Sequence, residues 1–120
     1  MTAAGEVPIA ALEGEIDMAN AEDLRDSMLE AVTNRAPGLV VDLTSTTYLD
    51  SAGIHVVFEL ARRLHARQQQ LRVVVPAGAT IRRVLTLTNV SAVAPMHERC
   101  DDAVAELVAQ ADGASPDGSG

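Results

Sequence analysis

A carboxylate and a hydroxyl stand side by side in Asp50-Ser51-Ala52-Gly53, and two small residues follow them. Beyond this tetrapeptide, Ile54, Val57, Phe58, Ala61 and Leu64 recur at helical spacing. Ser51 therefore falls at the start of a helix. The first turn of any helix has backbone N–H groups without intrahelical partners, and their partial positive charge favours an oxyanion. Asp50 suits the N-cap position and Ser51 the first helical position. Ala52 and Gly53 are small enough to leave the hydroxyl open to a bulky reactant. Two compatible readings follow: Asp50 and Ser51 cap a helix, or Ser51 is a hydroxyl presented for reaction.

Other chemistries fit poorly. A serine nucleophile on a strand-to-helix elbow needs a glycine two residues before it, and Leu49 stands there. A chain of 120 residues also leaves little room for a substrate domain. Neither a Walker-type phosphate loop nor a dinucleotide glycine pattern is present, which argues against a nucleotide cofactor. His55, His65 and His97 lack metal-ligand neighbours at useful spacing, and Cys100 follows His97 with no further cysteine. The expectation is no catalytic residue, no metal and no cofactor. Ser51 reads as a target of chemistry and not as its agent.

The elements that must position Ser51 follow from periodicity and turn signals. Residues 1–6 are expected to be a flexible N-terminus. Val7 to Leu12 reads as a short strand, which Pro8 demotes to a sheet edge. Glu13-Gly14 turns or bulges the chain, and Glu15 to Asp17 continues in extended form, so that the opening pair suits a hairpin. Asn20 is a candidate N-cap with Asp23 three residues on. Ala21, Leu24, Met28 and Val32, with Ala31, line one side of an amphipathic helix to about Thr33. Leu39 to Leu43 suits a strand buried on both faces, and the following Thr and Ser residues read as a loop. Asp42 interrupts the apolar run, and its carboxylate needs partners such as the loop hydroxyls.

The central helix runs to about Gln68, with His55, Glu59, Arg62 and Arg63 outward and Glu59 four residues from Arg63. Leu71 to Val75 is a buried strand closed by Pro76. Ala79 to Thr88 is a short helix with Ile81, Val84, Leu85 and Thr88 on one side, and Asn89 suits a left-handed terminator. Ala92 to Met96 is a weaker strand because of Pro95. A last helix from Asp101 turns Val104, Leu107, Val108 and Ala111 inward. Residues 112–120 are rich in Gly, Ser, Pro and Asp and read as a disordered tail. The alternation predicts one α/β domain over 7–111, with right-handed crossovers and a mixed, mostly parallel sheet of four to five strands packed with about four helices.

Composition narrows the function further. The formal net charge is −8 and aromatics make up 2% of the chain, so direct nucleic-acid binding is not expected. All nine basic residues are arginines; Arg62-Arg63 and Arg82-Arg83 read as solvated faces unless a partner covers them. One cysteine permits no intrachain disulfide, and neither a membrane span nor a signal peptide is apparent. A cytoplasmic protein is the expectation.

Several motifs, taken in order, resemble the STAS domain family and within it the single-domain anti-sigma factor antagonists. Gly14-Glu15-Ile16-Asp17 is similar to the family's early signature. Val40-Val41-Asp42-Leu43, followed by Tyr48-Leu49-Asp50-Ser51-Ala52-Gly53-Ile54, is similar to its central one. Arg83 to Val90 is similar to the later helix, with Asn89 where the family often has glycine. The resemblance covers about Val7 to Ala111. It implies that Ser51 is a regulatory phosphorylation site. An anti-sigma factor that is also a serine kinase, with a histidine-kinase-like ATPase fold, would bind the unmodified protein and phosphorylate it, and a serine phosphatase would reverse this. Sequestering the anti-sigma factor would free a sigma factor for transcription. Partner-binding residues implied are Asp17, Asp42, Asp50, Ser51, Ala52, Gly53 and His55, with Asp17 and Asp42 near Ser51. STAS domains also occur as stress-signalling scaffolds, transporter tails and small subunits of lipid-transport complexes. A stand-alone lipid-transport subunit or scaffold is the alternative.

Overall fold

A computed structural model describes the backbone of residues 2–4 and 6–113 and the side chains of 6–110. In chain order the elements are β1 (Thr2–Ala4), β2 (Val7–Ala11), β3 (Gly14–Ile16), α1 (Ala21–Ala31), β4 (Gly38–Asp42), β5 (Thr46–Leu49), α2 (Ser51–Ala66), β6 (Gln70–Val74), α3 (Thr80–Leu87), a 3₁₀ turn (Val90–Ala92), β7 (Met96–His97) and α4 (Cys100–Gly113). The main sheet has the order β1-β2-β4-β6-β7, parallel throughout except for the antiparallel β1–β2 pair. β3 and β5 form a separate parallel pair. The α/β class and the mixed, mostly parallel sheet agree with the sequence.

Four local expectations need correction. Residues 2–4, placed in a flexible terminus, form β1 and pair with β2 through Thr2–Ile9, Ala3–Pro8 and Ala4–Val7. Val7–Ala11 is thus an interior strand. Pro8 is tolerated there because parallel pairing with β4 begins only at Ile9–Val40, beyond the proline's missing donor. The hairpin expected between β2 and β3 does not form either: β2 pairs antiparallel with β1, and β3 pairs with β5. Gly14 takes φ +77° and bends the chain out of the main sheet, so β3 runs alongside the prolongation of β4. Finally, the Thr/Ser run is not all loop. Thr46–Leu49 is β5, with Thr46 and Leu49 buried and the Thr46 hydroxyl donating to the Leu12 carbonyl at 2.8 Å.

At the other end of the chain, Ala92 belongs to the 3₁₀ turn, and only Met96 and His97 pair with β6. Pro95 cannot donate to a ladder, but its carbonyl accepts from the Val73 N–H at 3.1 Å. Asn89 is left-handed, φ 63° and ψ 34°, as expected after α3. In α4, Ala103 and Leu107 are buried, Val104 is half-buried and Val108 is 41% exposed, so Val108 does not face inward. The Ala111 side chain and residues 114–120 lie outside the described residues, while Asp112 and Gly113 end α4.

Pleating divides the core into two layers. Leu39, Val41, Leu43, Leu71, Val73 and Val75 pack with α1, α2 and α3. Val7, Val40 and Val74 face Ala103 and Leu107 of α4. Arg72 shares this second face, in register with Val40, and is 2% exposed between Leu71 and Val73 of β6. Its guanidinium donates to the Gln70 Oε1 at 2.9 Å, pairs with Glu106 of α4, and lies 3.4 Å from the His97 ring. A buried guanidinium is costly without such partners.

Candidate functional site at the start of the central helix

Asp50 is the N-cap of α2, with extended φ −93° and ψ −172°. Its Oδ1 accepts from the Ala52 and Gly53 N–H groups at 2.8 and 3.1 Å. Two of the helix's orphan donors are therefore filled by a fixed carboxylate. Ser51, the first helical residue, is exposed, and no side-chain hydrogen bond engages its hydroxyl among the described residues. The cap and the accessible hydroxyl occur together.

Ala52 is half-buried and Gly53 buried, so glycine here does not serve access. A Cβ on Gly53 would sit 2.9 Å from Leu49 Cδ1 and 3.1 Å from Ile16 Cγ2. The missing side chain lets α2 lie close against the β3–β5 pair, which holds Ser51 at that pair's C-terminal end.

The same pair positions Asp17. Ile16 and Leu49 are in register, so Asp17 and Asp50 leave the ends of adjacent strands together. Asp17 Oδ1 accepts from the Ala19 N–H at 2.9 Å, and its own N–H donates to Asn20 Oδ1 at 3.0 Å. Asn20 makes no cap bond to α1; its side-chain amide donates instead to the Glu15 carbonyl at 2.9 Å. Asn20 thus braces the loop that presents Asp17.

Asp42 is not part of this grouping. It is in register with Val74, whose side chain packs in the α4 layer, so Asp42 points to the face opposite α2. Its carboxylate accepts from the Thr44 N–H at 2.9 Å and the Thr44 hydroxyl at 2.6 Å, which are the loop partners the sequence suggested. Burial pushes the Cys100 thiol up, and Asp42 and Asp101 push it further, which keeps it protonated and unreactive near neutrality.

His55 is exposed one turn beyond Ser51 and lines a cleft with Phe58, Arg62 and His65. Glu59 anchors this flank, accepting from Arg25 of α1 at 3.0 Å and from Arg63 at 3.2 Å. Sequence reasoning anticipated Arg63 but not Arg25. It also missed Met18 and Tyr48, 82% and 51% exposed, on the loop and strand beside the Asp17–Asp50 end. Only unexpected exposure marks them, and spacing gives no such signal. Among the described residues no three His, Cys, Asp or Glu side chains come together as a metal site, and no helix is long and apolar enough to cross a membrane.

The mostly parallel sheet with its separate β3–β5 pair agrees with the fold of the relatives found by comparison. The STAS domain model matches residues 1–103, and the chain belongs to that family. A protein named as an anti-sigma factor antagonist, BtrV of Bordetella bronchiseptica, is 36% identical over 63 residues; the match spans 52% of this chain and 54% of that relative, about half of each. The crystal structure of an anti-sigma factor antagonist from Mycobacterium paratuberculosis superposes with a TM-score of 0.77 at 28% identity, over 88% of this chain and 89% of that one. The anti-sigma factor antagonist SpoIIAA, in its unphosphorylated form, has a TM-score of 0.66 at 19% identity over 91% and 94% of the two chains, a likeness of fold.

Proposed function

We propose that this protein is a cytoplasmic anti-sigma factor antagonist whose docking is switched at Ser51. The observation that carries the reading is the exposed Ser51 at the first position of α2, beside the Asp50 carboxylate. The unmodified hydroxyl lets an anti-sigma factor with serine-kinase activity and a histidine-kinase-like ATPase fold seat against this end of the domain. The partner is thereby sequestered and its sigma factor freed. In the kinase step the Ser51 oxygen attacks the γ-phosphorus of ATP, the bond to the β–γ bridging oxygen breaks, ADP leaves and the hydroxyl proton passes to a base of the kinase. A serine phosphatase hydrolyses the ester back.

Phosphorylation adds about −1.5 to −2 charge at pH 7. Here the nearest helix N–H groups are already held by Asp50, so the new charge faces outward beside carboxylates. An interface fitted to a neutral hydroxyl meets like-charge and steric conflict, and each ~1.4 kcal/mol lost weakens binding tenfold. Asp17 and His55 border the docking face, with Met18 and Tyr48 as its exposed apolar part. Asp50, Ala52 and Gly53 shape it through the backbone. Asp42 lies on the opposite face and is not assigned to it.

The test is incubation with candidate kinases of that fold and ATP, followed by mass mapping and binding measurements. Expected are a single phosphoester on Ser51, persistent binding by Ser51→Ala, and at least tenfold weaker binding by Ser51→Glu. Equal affinity of the modified and unmodified forms would overturn the reading.

A further inference from the structure

One flank of α2 and the segment after the 3₁₀ turn enclose a cleft of ≈ 620 Å³. Its floor is apolar: Phe58 and Ala61 from α2, and Val93, 44% exposed, from the facing segment. His55, Arg62 and His65 line it along α2, all exposed. From His55 to His65 the helix rises about 15 Å, close to three turns. None of the described residues covers the cleft.

The charge on this flank runs against that of the whole chain. Glu59 is shared by Arg25, Arg63 and, at 3.7 Å, Arg62, while Asp26 holds the Arg25 Nε at 3.0 Å. Three guanidiniums against two carboxylates leave an excess of one positive charge, and Glu59, the carboxylate that lines the cleft, has a side chain only 11% exposed. The protein as a whole carries −8. Arg62 is the most exposed of the three, at 75%, and is weakly held. An acidic partner is repelled over most of this molecule and accepted here.

Length, apolar floor and local charge together fit an amphipathic helix. Residues 114–120, Ala-Ser-Pro-Asp-Gly-Ser-Gly, contain no large apolar anchor, and α1 and α4 pack apolar residues into the core. We propose that this cleft docks an acidic amphipathic helix of about three turns from a partner protein. Leucine-sized side chains sit over Phe58 and Val93, and flanking carboxylates meet Arg62 and the histidines. The groove meets the Ser51 face at His55 but is centred on Phe58, Arg62 and Val93, and docking there does not depend on phosphorylation of Ser51.

The test is an amide NMR titration of the full chain with a synthetic peptide of about eleven residues. The peptide carries leucines at i, i+3, i+4 and i+7 and glutamates on its other faces; a control has lysine for every glutamate. Expected are saturable shifts at Phe58, Arg62, His65 and Val93 that weaken as salt rises, with at least tenfold weaker binding of the lysine peptide. Arg62→Glu, at an exposed position whose loss leaves Glu59 with Arg25 and Arg63, should lose the response while keeping native dispersion. Ser51→Glu should retain it, which separates this groove from the switch. Equal response to both peptides overturns the proposal, as does no saturable response at about 1 mM, or shifts at these residues that depend on protein concentration without peptide and so reveal a second copy as occupant.

Discussion

The backbone N–H of Asp50 donates to the Ile16 carbonyl at 3.2 Å, joining the cap of α2 to the end of β3. Three residues on, Gly53 leaves no space for a side chain beside Ile16 and Leu49. Two effects oppose each other on substitution there. Alanine gains about 1 kcal/mol of helix propensity over glycine but crowds the Leu49 side chain, so Gly53→Ala should lie within about 1 kcal/mol of wild type. Gly53→Val adds β-branched bulk where no room exists and should cost about 1–3 kcal/mol. Urea unfolding of both variants measures the difference.

Asp50 closes the helix start by two hydrogen bonds. Asp50→Ala should cost about 1–2 kcal/mol in chemical denaturation, and Asp50→Ser should recover most of it. Ser51→Asp places a second carboxylate at the same terminus. The helix dipole favours it by about 0.3–1 kcal/mol, whereas the neighbouring Asp50 opposes it, so the melting temperature should hardly move. A binding defect in Ser51→Asp with an unchanged melt would then belong to the docking face and not to unfolding.

The Arg25 guanidinium beside Glu59 holds that carboxyl below its ordinary range, with Arg63 and His55 adding to the effect. A carboxyl depressed in the folded state contributes stability above its unfolded pKa, and this is lost as pH falls through the folded value. The α1–α2 contact should therefore weaken at acidic pH below the usual glutamate range. Glu59→Gln should remove that part of the pH dependence and flatten the salt dependence of stability. Carbon-detected titration of Glu59 in wild type checks the direction of the shift.

Arg72 and Glu106 form an asymmetric pair, 2% and 48% exposed. Removing Glu106 leaves a buried guanidinium without its counter-charge, with only Gln70 Oε1 and the His97 ring beside it, while removing Arg72 leaves a carboxylate that water can reach. Glu106→Ala should cost about 2–3 kcal/mol, below the 3–5 typical of fully buried pairs because one member is half exposed. Arg72→Met should cost less, and adding Arg72→Met to Glu106→Ala should restore part of the loss. A thermodynamic cycle over the four proteins measures it.

The parts of the fold readable in sequence are those written in local chemistry. The Asp50 cap, the left-handed Asn89, the Asp42–Thr44 turn and the Glu59–Arg63 pair all involve residues within a few positions of each other. What stayed hidden depends on distant partners. β5 resembles a loop until β3, about thirty residues earlier, pairs with it. Pro8 suggests an edge until β1 adds outside it. Arg72 disappears within an apolar run because its partner is 34 residues away in α4. The Asp50 cap beside Ser51 is legible because capping is local, whereas the side of the sheet taken by Asp42 is a matter of register.

The division of strands into a broad sheet and a short offshoot has a mechanical consequence. α2 begins on the offshoot, where β3 and β5 contribute three and four residues, and only later packs over the large layer. A charge set down at position 51 therefore pushes first on a small annex, tied to the body by the Leu12–Asp42 and Gly14–Ser45 backbone bonds and by Ile16 and Leu49, which are buried in the main core. The disturbance should fade within residues 14–20 and 46–54, leaving the load of the remaining structure untouched. In this architecture a message can be posted on the outside wall without rebuilding the house.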